Sequence, residues 1–193
     1  RTVKLAATTG SLVWSGAYAG PAGGDDQAFS VAVDSAGNVH VTGYSSNGTN
    51  NDIRTFAYAA ADGAVLFSVN EGPARGADDQ PGSGDLLLAK RSSAVDAGGN
   101  VYVTGGSYNG INWDYRTIKY SPGGAVLWDV AHVGAGNAND LAFAIALDGA
   151  GNAYVTGLSY NGSNNDFRTI KYAAADGSVL WSVSYNGPAN AND

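Results

Sequence analysis

Aspartate and arginine recur as a pair in this 193-residue chain, with one residue between them. The three copies are Asp52/Arg54, Asp114/Arg116 and Asp166/Arg168. Side chains two residues apart on a strand lie on the same face, where a carboxylate and a guanidinium fork can form a bidentate ion pair. A repeated charged ligand site is one interpretation. Because the pair recurs in every copy, we favour structural ion pairs that join neighbouring repeats.

A second set of carboxylates opens tight turns of the pattern D-x-x-G-N. These residues are Asp34, Asp96 and Asp148. An aspartate at this place accepts hydrogen bonds from the N–H groups of its own turn, so we predict a structural role. The calcium-loop pattern D-x-D-x-D-G is absent, and without cysteine there is no thiolate metal site or cysteine nucleophile. His40 and His132 stand at non-equivalent positions of the repeat. We therefore predict no enzyme; a propeller lyase or hydrolase is the alternative.

The elements that carry these residues recur as a unit. The dipeptide Arg-Thr begins at Arg1, Arg54, Arg116 and Arg168, so the repeat is about 50 residues long. Within it, short alternating apolar runs are separated by tight turns and by loops rich in Asn and Gly, which predicts a four-stranded antiparallel meander. One aromatic position recurs in the fourth strand, and we expect it to pack blade against blade. It is occupied by Trp14, Phe67, Trp128 and Trp181.

Three motifs carry a family resemblance. The segments D-x-x-G-N-x-Y-V-T-G from Asp148, D-x-R-T-I-K-Y from Asp166 and V-L-W-S-V from Val179 resemble the SBBP-type (beta-propeller repeat) family and are similar to NHL-type propeller repeats. The resemblance implies an all-β, partial β-propeller in a large secreted or surface-attached bacterial protein, with no catalytic residues. It divides a single domain, 1–193, into a half blade at 1–26 and blades at about 27–79, 80–140 and 141–193. An insertion at 80–88 and the polar Arg91 and Ser93 predict a weaker first strand in the second full blade.

The first repeat has only its two outer strands, so the chain resembles the front half of a seven-bladed ring. An incomplete ring leaves a strand edge and an apolar blade face exposed, and both invite association. We expect either self-association or packing against remaining repeats of a longer chain. Head-to-tail contacts of this kind give a ring or a filament.

Composition excludes one class of partner. The net charge of −7 and the isoelectric point near 4.5 argue against nucleic acid, and no apolar stretch is long enough to form a transmembrane segment. The long loops gather Asp, Asn and aromatic residues, which suit a glycan or a calcium-bridged ligand; solvated turns or subunit contacts are favoured. Asn47 and Asn161 begin glycosylation sequons. We expect no cofactor, with calcium as the alternative, and a non-enzymatic structural and interaction module at the cell surface or outside the cell.

Overall fold

The computed structural model describes residues 1–49, 51–71, 92–188 and 191–192, and all regular structure in these ranges is β-strand. No helix able to cross a membrane is found there. The strands are β1 (Thr2–Leu5), β2 (Leu12–Gly16), β3 (Asp26–Val33), β4 (Val39–Ser46), β5 (Asn51–Tyr58), β6 (Val65–Glu71), β7 (Ser92–Val95), β8 (Val101–Tyr108), β9 (Trp113–Tyr120), β10 (Val126–His132), β11 (Leu141–Leu147), β12 (Ala153–Tyr160), β13 (Asn165–Tyr172) and β14 (Val179–Tyr185).

These strands form one two-stranded and three four-stranded antiparallel sheets. Strands β1 and β2 make the half blade, while β3–β6, β7–β10 and β11–β14 make the first, second and third full blades. Neighbours in each sheet are neighbours in sequence, so every blade is a meander, and we label its strands A to D in chain order. The fold is therefore an all-β, partial β-propeller. In each full blade the tight A–B and C–D turns lie at one end and the long B–C and D–A loops lie at the other.

Strand A of the second full blade is short. It spans the four residues Ser92–Val95, whereas β3 spans eight residues. The weaker strand expected from its polar sequence is thus observed. The insertion at 80–88 and Arg91 lie outside the described residues, as does the expected boundary at 79/80.

The apolar core consists of three clusters, each lying between two consecutive blades. The cluster between the second and third full blades combines Tyr102 and Trp128 on one side with Val155 and Ile170 on the other. Two further clusters occupy the two preceding junctions. At the inner ends, strands A are joined by serine hydroxyls. The Ser30 and Ser93 hydroxyl oxygens lie 2.8 Å apart. Because no blade closes a core alone, stability depends on contacts between neighbours.

Candidate interaction surfaces

Neighbouring blades meet where an aromatic ring from strand D of one blade lies on a glycine of the next. The glycine belongs to the C–D turn and has a positive φ, +73° at Gly63 and +72° at Gly177. A Cβ atom on Gly63 would lie only 2.7 Å from the ring of Trp14. Glycine is therefore required both by the turn and by the ring. The three contacts are Trp14–Gly63, Phe67–Gly124 and Trp128–Gly177.

Two hydrogen bonds to a single carbonyl accompany the tryptophan contacts. The indole N–H of Trp128 donates to the carbonyl oxygen of Ala174 over 3.2 Å, and the ammonium group of Lys119 donates to the same oxygen over 2.8 Å. Lys119 and Trp128 are paired directly across strands C and D. In the half blade the corresponding residues are Lys4, Trp14 and Ala60. A lysine and a tryptophan in cross-strand register thus hold the turn of the next blade.

A buried tyrosine adds a third link at the junction between the second and third full blades. The hydroxyl of Tyr102 donates to the carbonyl of Gly151 in the next blade over 2.8 Å, and it also lies 3.2 Å from Oδ2 of Asp96. Burial and the neighbouring carboxylate raise the pKa of Tyr102. The hydroxyl therefore stays protonated and available as a donor. His40 takes the same place in the first full blade and lies 3.3 Å from Asp34.

The last blade exposes the surface that the earlier blades bury. Trp181 is 40% exposed, whereas Trp14, Phe67 and Trp128 are 6–8% exposed. Phe167 is 55% exposed, although Tyr115 at the same place in the second full blade is fully buried. The predicted packing role of the recurring aromatic position is thus observed between blades, but not at Trp181. We define the outgoing face of the chain as Phe167, Lys171, Trp181, Val183 and Tyr185.

The half blade exposes the opposite surface. Val3 and Leu5 are 51% and 54% exposed, while their counterparts Ile170 and Tyr172 in the third full blade are buried beneath the preceding blade. Among the described residues, none comes within 4 Å of a Cβ placed on Gly10, the counterpart of Gly177. We define the incoming face as Val3, Leu5, Ala7 and Gly10. The two faces lie at opposite ends of the row of blades.

The turn aspartates are bound within their own turns. Oδ1 of Asp148 accepts the backbone N–H groups of Ala150 and Asn152, and Oδ2 accepts the side-chain amide of Asn152. These hydrogen bonds, led by the Asn152 amide, hold the pKa of Asp148 below its usual value, and Lys171 lies 3.0 Å away. Asp34 and Asp96 make equivalent bonds. Although burial opposes their ionisation, these bonds keep the pKa of both carboxyls low.

The recurring Asp–Arg pairs are placed differently from the expected ion pairs. The carboxylates accept amide hydrogens of asparagines in their own B–C loops, such as Asn109 for Asp114 and Asn161 for Asp166; Asp52 is bound in the same way by Asn47. The arginines instead reach strand D of their own blade. Arg116 forms an ion pair with Asp129, while Arg54 and Arg168 donate to the hydroxyls of Ser68 and Ser184. We therefore correct the prediction for the described residues: these side-chain contacts stabilise single blades. The loop asparagines lie beside the carboxylates at the start of strand C and bind them there.

The two sequon asparagines are part of these loops. The side-chain nitrogen of Asn161 donates to Asn164 and to Asp166, both over 2.8 Å. That of Asn47 donates to Asp52 over 3.0 Å. A glycan on the Asn161 nitrogen would displace one of these bonds. Glycosylation at Asn47 and Asn161 stays a prediction.

The long-loop side offers fewer ligand groups than its sequence suggests. Tyr44 and Trp113, two of the aromatics expected to face a glycan, are buried. Asp140 is fully buried and accepts the N–H groups of Gly134 and Tyr160. Within the described ranges, no three His, Asp or Glu side chains converge in a way that could hold a metal ion. Asp78, Asp79 and Asp193 lie outside those ranges, so calcium binding is untested.

Comparison with known proteins bears on the family. Residues 16–50 match the family model described as SBBP, beta-propeller repeat. The chain carries an SBBP-type propeller repeat. This match spans the end of the half blade and the first hairpin of the first full blade. No curated protein matches the chain. Among solved structures, BamB from Moraxella catarrhalis superposes with a TM-score of 0.49 at 14% identity, covering 86% of this chain and 42% of the BamB chain. The chain thus spans less than half the length of that structure.

Proposed function

We propose that this chain is a non-catalytic structural and interaction module that associates with further propeller blades through its outgoing and incoming faces. One observation carries the proposal: Trp181 and Phe167 are 40% and 55% exposed at positions that every earlier blade buries. Exposed aromatic clusters of this kind mark interaction sites. The partner would bury them as a following blade buries Trp128.

The SBBP repeat supports a location outside the cell or at its surface, because the resemblance implies secreted and surface-attached proteins. The acidic charge of −7 and the absence of cysteine are compatible with this location. Protease treatment of intact cells that produce the protein tests it. We expect the chain to be digested without lysis, and full protection in intact cells would contradict the proposed location.

Association is tested by sedimentation velocity over a range from about 1 µM to 1 mM, the upper end corresponding to a binding free energy of only about −4 kcal/mol. We expect the average mass of the wild type to rise with concentration. The double variant Phe167→Ser, Trp181→Ser should stay monomeric. Ile111→Ser is the matched control, because Ile111 is an equally exposed apolar residue on a loop away from both faces.

The control should associate like the wild type. A wild-type chain that stays monomeric over the whole range would overturn the proposal, as would a double variant that associates as strongly as the control. A similar melting temperature of the double variant and the wild type at low concentration would show that the substitutions act on association and not on folding.

A further inference from the structure

The outgoing and incoming faces correspond to the two sides of one junction that the chain already contains. At the junction between the second and third full blades, Lys119 and Trp128 reach the carbonyl of Ala174, three residues before Gly177. The uncovered end presents Lys171 and Trp181, again as direct cross-strand partners. The other uncovered end presents a turn with an alanine three residues before a glycine.

That turn has the backbone required to receive the ring. Gly10 has a φ of +67°, close to the +72° of Gly177 and the +73° of Gly63, and its Cβ side is open. Ala7 stands where Ala60 and Ala174 offer their carbonyl oxygens to the lysine and the indole. The incoming face therefore has both the recess and the acceptor.

The apolar groups around this contact match as well. At the internal junction, Tyr115, Trp128 and Val130 cover Ile170 and Tyr172. Phe167, Trp181 and Val183 are the corresponding residues of the outgoing face, and Val3 and Leu5 those of the incoming face. All five of these terminal residues are at least 40% exposed.

We infer that a second copy of this chain docks head to tail, with Trp181 of one copy on the Gly10 turn of the next and with Lys171 and Trp181 donating to the Ala7 carbonyl. This inference rests on the proposed function and names its partner and its register. The half blade lacks strands A and B, so the contact uses only the outer part of a blade face. The internal precedent is the half blade itself, which is held on the first full blade by Lys4 and Trp14. Each copy contributes two different surfaces, and the rotation per contact decides between a closed ring and a filament.

The experiment uses two variants that each remove one side of the contact. Trp181→Ala removes the ring, and Gly10→Asn fills the recess, since asparagine tolerates positive φ better than most residues. Gly136→Asn is the matched control. Gly136 has the same φ of +67° and equally open surroundings, but it lies in a D–A loop away from both faces.

In sedimentation velocity at a concentration where the wild type associates, we expect Trp181→Ala and Gly10→Asn each to weaken association at least about 30-fold. Gly136→Asn should behave like the wild type. Mixing the two impaired variants should restore association as one-to-one dimers, because one copy still has an intact Gly10 turn and the other an intact Trp181.

The outcomes separate this inference from the proposed function. If Gly10→Asn associates like the wild type while Trp181→Ala does not, the outgoing face binds something other than the Gly10 turn. The head-to-tail register is then wrong, although association through that face stands. The same holds if the mixture stays monomeric. A wild type that never associates overturns both.

Discussion

Trp128 and Trp181 occupy the same position in successive blades, so replacing each by alanine compares a covered and an uncovered copy of one contact. Trp128 is 6% exposed, lies against Gly177 and donates its indole N–H to Ala174. Trp181 is 40% exposed and packs against Tyr154 of its own blade. The two substitutions remove identical atoms from very different surroundings.

The expected magnitudes follow from this difference. Truncation of a buried tryptophan costs about 3–5 kcal/mol through lost burial and the cavity left behind. The Ala174 carbonyl still accepts Lys119, so no unpaired acceptor adds to the cost of Trp128→Ala. For Trp181→Ala we expect about 1 kcal/mol or less, because much of the ring already contacts water. For a chain of this length, 1 kcal/mol shifts the melting temperature by about 2–4 °C, so Trp128→Ala should lower it by roughly 10 °C.

Far-UV circular dichroism in a urea titration measures both free energies of unfolding without relying on tryptophan fluorescence. The chain concentration must stay below the range in which copies associate. Hydrogen exchange then locates the effect: Trp128→Ala should reduce protection in β11–β14 more than in β3–β6, because each blade depends mainly on its neighbours. Equal destabilisation by the two substitutions would refute the account of the inter-blade contact.

Three further predictions concern the same junctions. Tyr102→Phe should cost about 1–2 kcal/mol in a urea titration because it leaves the Gly151 carbonyl without its donor, whereas Tyr154→Phe, at the uncovered end, should cost less; the reverse order would contradict the role of the hydroxyl. The pKa of the turn carboxyls is lowered in the folded chain, so their contribution to stability is present above about pH 4 and is lost as the pH falls further. Asp96→Asn should therefore lower the melting temperature at pH 7 and converge on the wild type near pH 3, and a constant difference would argue against this linkage. Asp129→Asn should cost under about 1 kcal/mol by the same titration, because its ion pair with Arg116 is partly exposed; a loss above 2 kcal/mol would show that the pair is structurally essential.

Much of the architecture can be predicted from the sequence because strand periodicity and turn chemistry are local. Alternating apolar residues and the D-x-x-G-N turns predict the meander, and the third full blade was expected from residues 141 onward, where β11 begins. The polar sequence at Ser93 also predicts the short β7. These features depend on residues only a few positions apart.

The partners of Asp114 and Arg116 could not be predicted in this way. Their spacing shows only that both side chains leave strand C on one face, whereas their contacts are decided by Asn109 in the loop and Asp129 on strand D. The contact between an aromatic ring and a glycine was missed for a related reason. The glycine recurs four residues before the aromatic, but the ring lies on the glycine of the next blade, so the spacing within one repeat does not reveal it.

The contrast between internal and terminal faces explains why association is expected. In repeat architectures, a terminal unit with a polar outer face ends the stack, because such a face loses nothing when it meets water. Here both terminal faces remain apolar, with Phe167 and Trp181 at one end and Val3 and Leu5 at the other. The lysine, the tryptophan and the glycine turn are also retained at the two ends, where they make no inter-blade contact among the described residues. Neither end is built as a cap, so the free energy that each internal junction provides is still available at both termini, and a matching blade would recover it.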